Sequence, residues 1–215
     1  MHRESRILFL ESRIPNRISR ISNLASRIAI LIAVYPTTAF AHSAGGEALG
    51  LFSGLAHPVS GLDHVLAMVA VGLWGAQLGA PAIWILPVTF PLVMAFGGML
   101  GLMGVTLPAI EVCIAVSAIA LGFMVLREAQ PNLVVAALLV GFFAIFHGHA
   151  HGTELPPGAN GMLYSIGFVI ATGTLHASGI VIGLVHRWPL GRLALRAAGA
   201  MVSIGGVVFL WKAIV

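Results

Sequence analysis

Residues 132–151 read NLVVAALLVGFFAIFHGHAH. From Leu133 to Phe146 every residue is apolar or glycine, and the run closes on His147, His149 and His151. Twenty residues in a helix extend about 30 Å, the thickness of a bilayer's hydrocarbon layer. No acid, lysine or arginine interrupts the run, so it predicts a membrane-crossing helix. Similar apolar stretches lie on either side, at 62–80, 82–105, 107–126, 161–186 and 192–214. The 215-residue chain is 59% hydrophobic and only 8% charged, with a mean hydropathy of +1.01. Soluble domains carry about a quarter charged residues, so a soluble enzyme is excluded. Disorder is excluded as well, because disordered chains are rich in charge and poor in apolar residues. The expected fold is all-α, a polytopic membrane bundle of about six transmembrane helices.

The connections between these stretches are short and hold the expected breakers: Gly79-Ala80-Pro81, Pro131-Asn132, Pro156-Pro157-Gly158 and Trp188-Pro189-Leu190-Gly191. They leave no room for a soluble domain. The 26 glycines suit close packing of membrane helices. Gly97 with Gly101, Gly179 with Gly183, and Gly199 with Ser203 have the four-residue spacing that lets backbones approach. Pro87 and Pro91 are expected to kink the second span. Residues 47–61, ahead of the first span, suggest a short amphipathic or re-entrant segment.

The N-terminus reads as a targeting segment. Arg3, Arg6, Arg13, Arg17, Arg20 and Arg27 precede a short apolar run at 28–35, and Ala39-Phe40-Ala41 follows. A basic region, a short apolar region and A-x-A form a secretory signal pattern. Cleavage after Ala41 would divide the chain into a signal peptide, 1–41, and a transmembrane domain, 42–215, with His42 as its N-terminus. An uncleaved anchor is the alternative. Beyond Ala41, five basic residues balance five acidic ones, which leaves no basic surface for nucleic acid. The expected location is a bacterial inner membrane, with the mature N-terminus periplasmic. Connections 127–131 and 186–192 then face the cytoplasm with Arg127, Arg187 and Arg192, as the positive-inside rule requires. Cys113, the single cysteine, excludes an intrachain disulfide and a cysteine-only metal site.

Ionisable groups inside spans are costly and mark function. His57, Asp63 and His64 form a first cluster; on an unbroken helix His57 and His64 would share a face. Pro58 and Gly61 are positioned to break that helix. Asp63 could orient a histidine or ligate a cation itself. His147, His149, His151 and Glu154 form a second cluster. His147 and His151 lie one turn apart on one face, Glu154 joins that face if the helix continues, and His149 points the other way. Such a set of imidazoles and carboxylate has the character of a metal site. Glu111, near the start of the third span, is a further candidate, because a buried carboxylate needs a cation or a proton. His176, mid-way along the fifth span beside Thr172 and Thr174, is a weaker one. His42 would offer an amine and an imidazole as an accessory capture group. With the stated topology, the two clusters and Glu111 all fall at outer ends of spans. Imidazole with carboxylate suits nickel, cobalt, zinc or copper(II). Exchangeable, protonatable ligands suit an ion in transit, coupling occupancy to pH.

The stretches HPVSGLDHVLAMVAVGLW at 57–74 and FHGHAHGTE at 146–154 resemble the HupE/UreJ family of hydrogenase and urease accessory proteins. The resemblance covers nearly all of the chain after the signal segment. Its HxxxxxDH motif falls on His57, Asp63 and His64, and its FHGxxHGxE motif on Phe146, His147, Gly148, His151, Gly152 and Glu154. An acidic residue in a later span resembles Glu111. Neither motif departs from the family pattern; the long Arg-rich leader is the oddity. The resemblance implies a secondary permease, not an enzyme. It would import Ni²⁺, or Co²⁺, as a transported substrate with no permanently bound cofactor, and supply maturation proteins of a nickel enzyme. No Walker A motif is present to couple ATP. The competing readings are an intramembrane zinc-dependent hydrolase using the same ligands and a b-type haem electron carrier. Ion selectivity, and whether the chain forms a homo-oligomer, are not encoded in spacing.

Overall fold

The computed structural model describes residues 46–155 and 160–215. The predicted signal peptide and cleavage site, His42 and the Pro156-Pro157-Gly158 connection lie outside the described residues. The described residues form an all-helical bundle, without strands: α1 Gly46–Ser60, α2 Leu62–Leu78, α3 Ala82–Leu102, α4 Ile110–Leu126, α5 Leu133–Thr153, α6 Gly161–Gly183 and α7 Pro189–Ile214. A 3-10 turn, Leu184–Arg187, joins α6 to α7. Helices α2 to α7 correspond to the six apolar stretches read from the sequence.

Local chemistry accounts for the boundaries. Asn132 begins α5 by accepting the Val135 amide at 2.9 Å, and Asn160 begins α6 by accepting the amides of Met162 and Leu163. Such side chains satisfy amides that have no partner within the helix. Helix α7 starts at Pro189, three residues before the expected start, because a proline's fixed φ and missing N–H suit the first helical position. Helix α3 runs through Pro87 and Pro91 as one helix.

The outer surface is apolar. Trp84, Leu92, Phe96, Leu138, Phe142, Val169, Ile170, Met201 and Ile204 are all exposed. A water-soluble protein would not show such a belt, but hydrocarbon accepts it. Helices α3, α5, α6 with its 3-10 turn, and α7 are each long and apolar enough to cross a membrane. Helices α1 and α2 meet that test together, as a pair bent by 81°. Helix α4, at 17 residues, is shorter, about 25 Å long.

Glycine sets how the helices meet. Gly97 and Gly101 of α3 abut the backbone of α5 at Ile145 and His149. Gly148 of α5 abuts the Met94 carbonyl, and Gly152 the Gly98 carbonyl. Gly179 and Gly183 bring α6 onto α2, and Gly122 with Gly199 brings α4 onto α7. All three sequence spacings therefore lie at close helix crossings. At the end of the bundle away from the two histidine clusters, Trp74 Nε1 donates to the Ala129 carbonyl at 2.9 Å and Gln77 Nε2 to the Val125 carbonyl at 3.1 Å. Arg192 holds Glu128 with Nε at 3.2 Å and Nη2 at 3.0 Å.

A Cβ at Gly148 would strike backbone atoms of α3, which cannot move aside as a side chain can. Gly148→Ala should cost about 1–3 kcal/mol of stability. Gly173→Ala, at a helix face with nothing within 4 Å of the added Cβ, should be neutral. Thermal unfolding of the two variants in detergent checks the contrast.

Candidate metal centre

Three helices supply the cluster, and each does so for a local reason. Helix α5 ends in FHGHAHGT, which contains two interleaved four-residue spacings. Gly148 and Gly152 form one stripe and meet α3. His147 and His151 form the neighbouring stripe, rotated about 100° from the first. The glycines let α3 approach while the two imidazoles face the interior. His147 is wholly buried and His151 nearly so.

Helices α1 and α2 supply the other half across their bend. The break falls at Gly61, with φ −101° and ψ 114°, whereas Pro58 lies inside α1. His57 and His64 therefore do not share the face of one continuous helix. They flank a corner, and the corner brings both rings to His151, with ring centroids at 4.7 Å for His57 and 4.5 Å for His64. His64 also meets His147 at 4.7 Å. Gly61 leaves room for the two side chains that fold back over it. An added Cβ would lie 2.8 Å from Asp63 Oδ1 and 3.1 Å from His64 Nδ1.

Glu154 is the residue that caps α5, since the helix ends at Thr153. It does not continue the helical face. It reaches back instead, placing Oε2 2.9 Å from His57 Nε2. Donor atoms of His57, His151 and Glu154 all lie within 4.8 Å of one another.

Hydrogen bonding assigns the free lone pairs. Asp63 Oδ1 lies 2.9 Å from His64 Nδ1 and also accepts the His64 amide. A carboxylate accepts from imidazole N–H, so the His64 proton sits on Nδ1 and the lone pair on Nε2. That Nε2 is buried without a partner. Asp63 is thus the orienting carboxylate of the two roles open to it. The Ser117 hydroxyl donates its one proton to the Ile114 carbonyl at 2.6 Å. Ser117 Oγ must then accept from His147 Nε2, 2.8 Å away, which leaves the lone pair on Nδ1. His147 Nδ1 is likewise buried without a partner, as are both ring nitrogens of His151. Buried polar atoms are nearly always paired, so unpartnered ring nitrogens gathered in one cluster fit a cation. Four imidazoles and a carboxylate suit the later first-row divalent ions.

Not every predicted ligand joins. Glu111 is exposed in the first turn of α4 and stands outside the cluster. Helix α4 contributes Ser117 in its place, pointing inward farther along the helix. His149 is buried on the opposite side of α5, as its position predicts, and donates Nε2–H to the Val105 carbonyl at 2.5 Å. His176 is buried but lies beyond Phe90, whose ring is 5.3 Å from His147 and 5.4 Å from His176. Ser117, Tyr164 and Phe90 are neighbours that sequence reasoning missed. For Ser117 the available signal was a lone hydroxyl in an apolar run. The imidazole edges are in contact, with no slot for a porphyrin between them. A cavity of about 380 Å³, lined mainly by apolar side chains of α3, α5 and α6, reaches His151 and Tyr164.

The HupE / UreJ protein family model matches residues 30–209. The chain belongs to the HupE/UreJ family. It is 46% identical over 175 residues to Protein HupE of Rhizobium leguminosarum bv. viciae, a match covering 81% of this chain and 91% of that protein. No solved structure gives a significant match. Within this HupE/UreJ member the clustered histidines all lie inside the matched span.

The Asp63 contact makes a prediction. Asp63→Asn keeps every imidazole but weakens the acceptor that holds the His64 proton on Nδ1. Affinity for Ni²⁺, read by titration calorimetry on the purified protein, should fall by about 10–100-fold. An unchanged affinity would remove Asp63 from the site.

Proposed function

We propose that this multi-pass membrane protein is a secondary permease, not an enzyme. It carries Ni²⁺, or Co²⁺ on the same ligands, inward across a bacterial inner membrane to supply metalloenzyme maturation. The observation that carries this reading is the group of unpartnered imidazole lone pairs at one end of a membrane bundle. A resident structural metal would favour a closed, fully committed ligand set. Here the set is mixed: Glu154 and His57 are partly exposed, while His147 and His151 are buried. A graded set of this kind suits capture followed by inward passage.

Polarity supports the direction. The cluster sits where α2 begins and α5 ends. Arg127, Arg187 and Arg192 sit at the other end, where α4 and the 3-10 turn finish and α7 begins. Positive residues favour the cytoplasmic side, so the cluster faces the periplasm. A divalent ion moving inward down a membrane potential gains roughly 4.6 kcal/mol per 100 mV, twice the single-charge value. The potential alone can therefore drive accumulation. Protons compete with metal for imidazole and carboxylate, so loading weakens as the outer solution becomes acidic.

His57 and Glu154 take up the ion at the exposed rim. His151 stands next to both and to His64, and the ion passes to His64 Nε2 and His147 Nδ1 by exchanging one imidazole for the next. Labelled Ni²⁺ uptake into cells lacking other nickel transporters tests this. His64→Ala and His147→Ala should each abolish uptake at wild-type membrane levels of the protein. Normal uptake by both variants would sink the proposal.

A further inference from the structure

Beyond Phe90 lies a second set of buried polar atoms that the outer cluster does not use. His176 is 1% exposed and Thr172 is 0% exposed. They lie four residues apart on α6, so they share a face. Neither ring nitrogen of His176 makes a hydrogen bond, and neither does Thr172 Oγ1. The contrast along the same helix is informative. Ser165, Thr174 and Ser178 each donate to the carbonyl one turn earlier, at 2.8 Å. Threonine readily satisfies itself this way in an apolar helix. Thr172, the most buried of these hydroxyls, does not.

Helix α3 brings a backbone acceptor to His176. Pro91 has no N–H, so the Pro87 carbonyl has no donor one turn on. The His176 ring lies against Pro87's backbone, where the carbonyl is the polar atom an imidazole N–H can meet. An imidazole and a carbonyl thus meet in the interior of the bundle, and an unpartnered hydroxyl lies one turn back along α6. Phe90 fills the gap between them and His147, with its ring edge-on to both imidazoles. It is itself wholly buried. Pro87 and Pro91 flank it, and each removes a helical hydrogen bond from the turns that carry it.

Resting on the permease reading above, we propose that His176, Thr172 and the Pro87 carbonyl form an inner station for the transported divalent cation, and that the Phe90 ring is the barrier between this station and the outer cluster. One nitrogen and two neutral oxygens hold a late first-row cation less firmly than several imidazoles and a carboxylate do. The ion keeps part of its water there and leaves readily toward the opposite face. Displacement of the Phe90 ring connects His147 to His176, and its return stops the ion from going back.

The test separates binding from passage in the purified full-length chain. Ni²⁺ binding is measured by calorimetry, and Ni²⁺ entry by quenching of a dye trapped in proteoliposomes. His176→Ala and Thr172→Val should leave outer-site affinity unchanged and slow entry by about tenfold or more. Phe90→Trp, which enlarges the barrier, should also slow entry with binding intact. Thr172→Val preserves shape, so it carries the test should His176→Ala fail to fold. Entry at the wild-type rate in Thr172→Val and Phe90→Trp would overturn the inner station. Parallel loss of binding and entry would overturn it too, by making these residues supports of the outer cluster. His64→Ala is the control for the underlying reading, because normal entry there defeats the permease proposal itself, whatever the inner variants do.

Discussion

Buried imidazole nitrogens without partners, gathered in an apolar interior, are the constraint on which the rest of the structure depends. A bilayer offers no water to a stray polar atom, so each must be held for a reason. Two hydrogen bonds decide which nitrogens keep a free lone pair. Asp63 takes the Nδ1 proton of His64, and Ser117, its own proton committed to Ile114, takes the Nε2 proton of His147. The two rings therefore leave different nitrogens unpartnered, Nε2 of His64 and Nδ1 of His147. Neither assignment follows from a histidine's presence alone. Each depends on a partner from a definite place: the adjacent residue for His64, and a different helix for His147.

Glycine makes that geometry available. The two stripes of α5, one of glycine and one of histidine, solve two problems on one helix. Gly148 and Gly152 admit the backbone of α3. His147 and His151 then point where α2 and α1 arrive. At the corner between α1 and α2, Gly61 leaves the space into which Asp63 and His64 fold back. The two motifs therefore combine ligands with the clearances that position them. A side chain at Gly61 would crowd Asp63 Oδ1 and the His64 ring.

Much of the bundle could be read from the chain itself. Apolar runs of bilayer length located α2 to α7, because a helix in lipid declares itself by composition. The four-residue glycine spacings marked real crossings, and the helical period placed His147 with His151 and turned His149 away. What could not be read depends on tertiary packing. The break offered at Pro58 or Gly61 falls at Gly61 alone, with Pro58 inside α1, and its angle could not be read because a glycine permits a bend without setting one. Glu111 looked like a buried ligand because it opens an apolar run. It is exposed, since the first turn of α4 lies at the edge of the bundle. Tyr164 and Phe90 carry no signature of a site in so apolar a chain, and Ser117 only that of a lone hydroxyl in an apolar run. Only the packing of α3, α4 and α6 around α5 brings them there.

The central claim is that imidazole nitrogen binds the cation in the outer cluster. X-ray absorption at the nickel edge, on purified protein loaded with one equivalent of Ni²⁺, tests it most directly. The account predicts a nitrogen and oxygen shell with the outer-shell scattering of several imidazole rings, reduced in His147→Ala. A shell dominated by sulfur from methionine or Cys113, or one of oxygen alone without imidazole scattering, would contradict it.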